Sequence, residues 1–241
     1  MTIAEKTILV TGANRGIGGA LVEEALERGA SRVYAGTRQP IVHADRRVTP
    51  VMLDVTDPEQ IRAAVEQVQS LDVLINNAGI SLPDDLSDRA AFEAHLAVNL
   101  YGTYGVTNAF VPLLSEARGA LVNVVSLGAF AAVPVLPAYS ASKAAEFSLT
   151  QSLRALLAGR GVSVHAVMPG PVDTDMVRFL EIPKSPPRSV AAAIFDGVEN
   201  GEEEIFPDPM SASMAGAWRN GFAKAFERQN AALLAAEPVA A

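Results

Sequence analysis

The chain has 241 residues and no cysteine, with 49% hydrophobic and 19% charged residues and a formal charge of −8 at pH 7. Its apolar content suffices for the continuous core of one large α/β domain and argues against disorder outside a frayed tail at Glu237 to Ala241. Absent cysteines exclude disulfides, thiolate metal sites and cysteine nucleophiles, while the acidic balance disfavours nucleic acid and anionic membranes as partners.

The first apolar run, Thr7 to Thr11, is a buried strand too short for a signal or membrane span, so a cytoplasmic protein is expected. Further strands are predicted at Arg32 to Gly36, Thr49 to Leu53, Val73 to Asn76, Ala120 to Val125 and Ser163 to Val167, with a short seventh near Glu204 to Phe206. Helices are predicted between them at Ile17 to Arg28, Pro58 to Val68, Ala90 to Leu114, Ala138 to Ala158 and Ser189 to Val198. The alternation predicts a single-domain Rossmann-type, doubly wound parallel sheet of six to seven strands with helices on both faces. Residues about 5–125 form the expected cofactor-binding part, about 126–210 the catalytic and substrate part, and about 211–236 an Ala-rich helical segment.

The first strand runs directly into Gly12-Ala13-Asn14-Arg15-Gly16-Ile17-Gly18 and then into an amphipathic helix. Gly12 permits the turn, Gly16 lets backbone approach a phosphate, and Gly18 lets helix and strand pack closely. The helix N-terminus adds unpaired N–H groups and a partial positive charge for a pyrophosphate. The second strand ends in Thr37-Arg38 without the carboxylate expected of an NAD site, and Arg15 lies in the glycine turn. Two guanidiniums favour the 2′-phosphate of NADPH, with NADH as the weaker alternative.

Tyr139 and Lys143 are four residues apart in a helix, which puts them one turn apart on one face. A free phenol has a pKa of about 10, so three units of lowering, about 4 kcal/mol, make it half ionised at pH 7. One ammonium about 4–5 Å away supplies roughly 3–4 kcal/mol at an effective dielectric near 20. Tyr139 can therefore serve as general acid in reduction and general base in oxidation. Ser140 and Ser142 are expected on the helix surface, and His165 in the core; the three histidines are too scattered for a metal site.

The ordered set Thr11-Gly12-x-x-x-Gly16-x-Gly18, Asn76-Asn77-Ala78-Gly79, Tyr139-x-x-x-Lys143 and Pro169-Gly170 resembles the short-chain dehydrogenase/reductase family. The resemblance implies an NADP(H)-dependent carbonyl reductase or secondary alcohol dehydrogenase, assembled as a homodimer or homotetramer. By it, Ser126 holds the substrate oxygen, Lys143 lowers the tyrosine pKa, and Asn99 joins a proton relay through water. Asp54, beside Val55, resembles the carboxylate that meets the adenine, and Asn77, Ala78 and Gly79 lie along the cofactor. Pro169, Gly170, Val172 and Thr174 match the segment that holds the nicotinamide carboxamide. The Ser126 surroundings lack the glycine of a hydrolase elbow. The rival readings are a non-catalytic NADPH-sensing regulator and an epimerase or dehydratase on the same fold.

Two departures from the family pattern stand out. Only Thr37 to Val48 separate the second and third strands, too few for an ordinary covering helix, which should leave the adenine end open. The segment Asp175 to Pro187 is short for a lid. Leu127, Phe130, Val133, Val135, Leu136, Met176 and Phe179 are the expected apolar lining for a hydrophobic substrate.

Overall fold

Strands buried on both faces need apolar side chains in both directions, and the first strand shows the consequence. In the computed structural model, which describes residues 1–236 and leaves the expected tail 237–241 outside the described residues, Ile8 and Val10 of β1 (Thr7–Thr11) enter one core while Leu9 enters the other. The remaining strands are β2 (Arg32–Thr37), β3 (Val48–Met52), β4 (Val73–Asn76), β5 (Ala120–Val124), β6 (Ser163–Val167) and β7 (Glu204–Ile205), all parallel in the order β3-β2-β1-β4-β5-β6-β7. Pro50 lies in β3, an edge strand, where a missing N–H is tolerated.

Against one face lie α1 (Gly16–Glu27) and α6 (Pro187–Glu199), contributing Leu21, Val22, Ile194 and the fully buried Phe195. The other face is covered by α2 (Pro58–Gln67), α4 (Thr103–Ala117) and α5 (Pro137–Ala158), contributing Ile61, Phe110, Leu114 and Leu153. Each large apolar side chain so buried contributes roughly 1.5–3 kcal/mol. Helix starts follow from local chemistry: Asp57 accepts from the N–H groups of Glu59 and Gln60 ahead of Pro58.

The expected helix Ala90 to Leu114 is interrupted. Between α3 (Arg89–His95) and α4 the backbone widens into a π-helical turn over Leu96–Gly102, which contains Asn99. The expected terminal helix is also corrected, into α7 (Pro209–Arg219), α8 (Phe222–Ala231) and α9 (Leu233–Ala236). Asn220-Gly221 makes the first break, since a Cβ at Gly221 would lie 2.7 Å from the Ala217 carbonyl oxygen. No helix among the described residues is long and apolar enough to cross a membrane.

The β2–β3 crossover is helix-free, as its length requires. It is held against α1 instead: Arg47 donates to the Leu26 and Ala30 carbonyls at 3.1 and 3.3 Å, and His43 meets Glu23 at 2.9 Å.

Candidate active site

The strand order reverses between β1 and β4, and a cleft of about 1200 Å³ opens beyond the carboxyl ends of the strands there. At one end of it, Gly12 has φ +65°, and a Cβ built on it would lie 2.9 Å from Ala78 Cα. Gly18 is tighter still, with its Cβ position 2.2 Å from the Gly12 carbonyl oxygen. Glycine is therefore required at both places, and the turn delivers backbone N–H groups at the start of α1 without any side-chain cap. Asn77 binds this turn to the β4 end, its Nδ2 donating to the Thr11 and Gly12 carbonyls at 2.9 and 3.2 Å.

Every residue expected at the cofactor lines this cleft: Gly12, Asn14, Arg15, Gly16, Ile17, Gly18, Thr37, Arg38, Asp54, Val55, Asn77, Ala78, Gly79, Pro169, Gly170, Val172 and Thr174. Ser126, Tyr139 and Lys143 line its other end. Asn99 does not line it. Its buried amide donates to the Ile80 carbonyl (3.0 Å) and Ser142 Oγ (2.9 Å), while its oxygen accepts from the Ile80 N–H (2.9 Å).

Two expected charge roles are qualified by local partners. Arg15 is not free beside Arg38; it pairs with Asp175 at 2.6 Å, both side chains being substantially exposed. One Asp54 oxygen accepts from the N–H and hydroxyl of Thr56 at 2.9 and 2.7 Å, the bonding of a strand-end turn.

The start of α5 is assembled from several elements. Pro137 begins it, and Asp84 from the loop after β4 accepts from the Ala138 N–H at 3.3 Å. Ser126 follows β5 with its backbone extended, its hydroxyl accepting from the Gly128 N–H at 3.0 Å. Lys143 extends inward, donating to the Val124 carbonyl at 2.8 Å and to Glu146 Oε2 at 2.6 Å. Burial is the largest single influence on the lysine and acts to lower its pKa, but the Glu146 carboxylate and Tyr139 together outweigh it and the net direction is up. Burial pushes the Glu146 carboxyl above its ordinary value, with Lys143 and the Thr103 hydroxyl opposing. The Lys143 ammonium thus sits between two acceptors, the Val124 carbonyl and the Glu146 carboxylate.

Ser140 and Ser142 are not surface residues: both are buried, Ser142 accepting from Asn99 and Ser140 Oγ from the Val133 N–H at 3.0 Å. A polar seam continues behind them. Asn76 donates to Thr107 and Asn123, and Asn123 donates to Thr150, each at 2.9 Å.

The expected apolar lining is largely corrected. Of the seven residues named, only Met176 lines the cleft, together with Ile80, Leu82 and Val177. Phe130 instead stacks on Trp218 at 4.3 Å and meets Phe147 edge-on at 5.2 Å, because α7 folds over this side. Four site-shaping residues escaped the sequence reading: Glu146, Asp175, Asp208 and His95. Asp208 accepts from the Gly170 N–H at 2.7 Å while capping α7, and its position before Pro209 is a readable helix-start signal. His95 accepts from the Leu82 N–H at 3.0 Å and its other nitrogen donates to the Ala91 carbonyl.

The short chain dehydrogenase family model matches residues 6–184. A short chain dehydrogenase from Burkholderia cenocepacia, solved in complex with NADP, is similar with 37% identity and a TM-score of 0.87, over 95% of this chain and 98% of that one. An uncharacterized oxidoreductase of Staphylococcus saprophyticus is 33% identical over 72% of this chain and 81% of its own. Estradiol 17-beta-dehydrogenase 2 of Mus musculus is 35% identical over 76% of this chain, which spans 52% of that enzyme.

Proposed function

The chain belongs to the short chain dehydrogenase family, and on that premise we propose that it is an NADP(H)-dependent oxidoreductase acting between a carbonyl and a secondary alcohol. The carrying observation is that Ser126, Tyr139 and Lys143 meet in the same cleft as the glycine turn over the N-terminus of α1.

The cleft fits a dinucleotide, for its glycine wall admits no side chain and its volume exceeds what a small substrate alone needs. Gly12 to Gly18 would hold the pyrophosphate, Asp54 and Val55 the adenine end, and Pro169 to Thr174 the nicotinamide, with Asn77 to Gly79 between. When bound, the nicotinamide supplies or accepts the hydride. The absence of a carboxylate at Thr37-Arg38 favours NADPH, and the similar Burkholderia protein was solved with NADP.

The chain's own residues handle the oxygen. Tyr139 gives its proton to the substrate oxygen in reduction and removes it in oxidation. The Ser126 hydroxyl donates to the developing alkoxide, and the Lys143 ammonium stabilises the phenolate left behind. With the Asn99 side chain committed to Ile80 and Ser142, its relay role falls to the backbone of the π-helical turn. Ile80, Leu82, Met176 and Val177 support a substrate with apolar substituents. Exposed Tyr101, Tyr104 and Leu156, on or beside the long α4 and α5, support a homodimer or homotetramer.

Turnover of a panel of aldehydes, ketones and secondary alcohols, followed by NADPH absorbance, tests the reading. Tyr139→Phe should bind NADPH with nearly unchanged affinity by fluorescence titration while kcat falls about 10²–10⁴-fold. Retained turnover in that variant overturns the assignment.

A further inference from the structure

We infer that Glu146 is a positioning residue that holds the Lys143 ammonium in place and keeps it charged through the alkaline range, an inference that rests on the oxidoreductase reading above. Glu146 lies outside every motif of the sequence, three residues beyond Lys143 on α5, and its side chain is 1% exposed against 4% for the lysine. Its Oε2 is 2.6 Å from Lys143 Nζ, and its Oε1 is met by the Thr103 hydroxyl at 3.4 Å. Thr103 is the first residue after the π-helical turn, so the carboxylate links the lysine to the element that carries Asn99.

The surroundings of Nζ make this carboxylate decisive. From α5 come Tyr139 and Glu146, from β5 the Val124 carbonyl at 2.8 Å, and from the β4 end Gly79, whose Cβ position would lie 3.8 Å away. From α4 the Thr103 hydroxyl reaches Glu146 rather than the lysine. Among the described residues the only ionisable groups acting on Lys143 are Glu146 and Tyr139. Without Glu146 the buried ammonium would keep only the neutral Val124 carbonyl and Tyr139, and burial, the largest influence on it, would drive it toward shedding its proton. A neutral amine there removes the charge that brings the phenolate within reach. A buried ion pair is weak evidence of a stabilising role, because a well-packed apolar pair is often as stable; its value here lies in the charge it preserves.

The test uses the full chain with NADPH and the best carbonyl substrate of the panel. In Glu146→Gln the alkaline limb of the kcat–pH profile, which in reduction reports loss of the Tyr139 proton, should move up by about a pH unit or more as the lysine charge is lost, and in Glu146→Asp it should return toward the parent position. A Gln variant whose limb stays in place overturns the inference, even if kcat falls uniformly, as a merely structural role would predict. A second measurement needs no variant at position 146. The Lys143 side-chain ¹⁵N resonance, assigned by its loss in Lys143→Arg, should remain that of an ammonium beyond pH 10.5, the ordinary lysine value; titration below that overturns the inference. Activity surviving Tyr139→Phe would defeat the underlying reading, whereas activity lost there with an unmoved Glu146→Gln limb would defeat this inference alone.

Discussion

In the proposed reading Arg38 takes the place of the carboxylate that would otherwise accept from the ribose; it lines the cleft and has no ion-pair partner among the described residues. A charge-assisted bond to a 2′-phosphate contributes about 1.5–3 kcal/mol. Arg38→Asp removes that bond and adds repulsion, so kcat/KM with NADPH should fall at least about tenfold to 150-fold, with NADH much less affected. Side-by-side assays with both cofactors check this, and equal losses with the two would refute the assigned role. Arg15 is placed differently, since Asp175 already holds it. At this scale the sequence was most informative where motifs constrain backbone, as at Gly12 and Gly18. It was least informative where a polar side chain is buried. Ser142, Glu146 and Thr150 recur at four-residue spacing on the buried face of α5, and a hydrophobic period cannot reveal a buried face made of polar residues.

Element boundaries carry a second set of lessons. Most strands were legible as short apolar runs rich in β-branched residues, such as Thr7–Thr11 and Ser163–Val167, and the helix-free β2–β3 crossover was legible from its length alone. The π-helical turn at Leu96–Gly102 was not legible within the expected helix Ala90 to Leu114, because the partners that Asn99 binds there, Ile80 and Ser142, meet it only in the folded chain. His165 shows a strand residue satisfied as expected: Nδ1 donates to the Glu202 carbonyl at 2.6 Å and Nε2 accepts from Ser163. Burial is the main cause that holds its pKa below the ordinary 6.5. Below that pH the unfolded chain takes up a proton that the folded chain refuses. The stability conferred by the neutral imidazole is therefore fully present above 6.5 and is lost as pH falls toward the folded value. Melting temperatures measured from pH 8 to 5 should decline below 6.5, and His165→Asn should decline less steeply. Parallel curves would remove His165 as the cause.

Across the whole molecule, the C-terminal helices are joined to the sheet by charge as well as by Trp218. Lys224 of α8, 1% exposed, meets Glu203, Glu204 and Glu227 within 2.9 Å, and Arg154 of α5 pairs with Glu204 and Glu227. Removing the central cation leaves the buried Glu204 and Glu227 to share Arg154 alone, so Lys224→Ala should cost about 3 kcal/mol. Urea denaturation of variant and parent measures it, and a loss below 1 kcal/mol would mean that the carboxylates rearrange or reach solvent. This docking was not legible from sequence, because it depends on three segments that meet only after β7 has joined the sheet.

The order of strands in space also differs from their order in the chain, and that has a consequence during synthesis. β1 is made first yet sits in the interior of the sheet, and its partner on the β4 side begins at Val73, paired with Ile8. At ribosomal speeds of about 5–20 residues per second, those intervening residues take roughly 3–13 s to emerge. Throughout that interval the β4-facing edge of Ile8, Leu9 and Val10 has no strand to pair with. The nascent chain should thus be a client for chaperones before it is an enzyme, with β4 as the segment whose arrival ends its exposure.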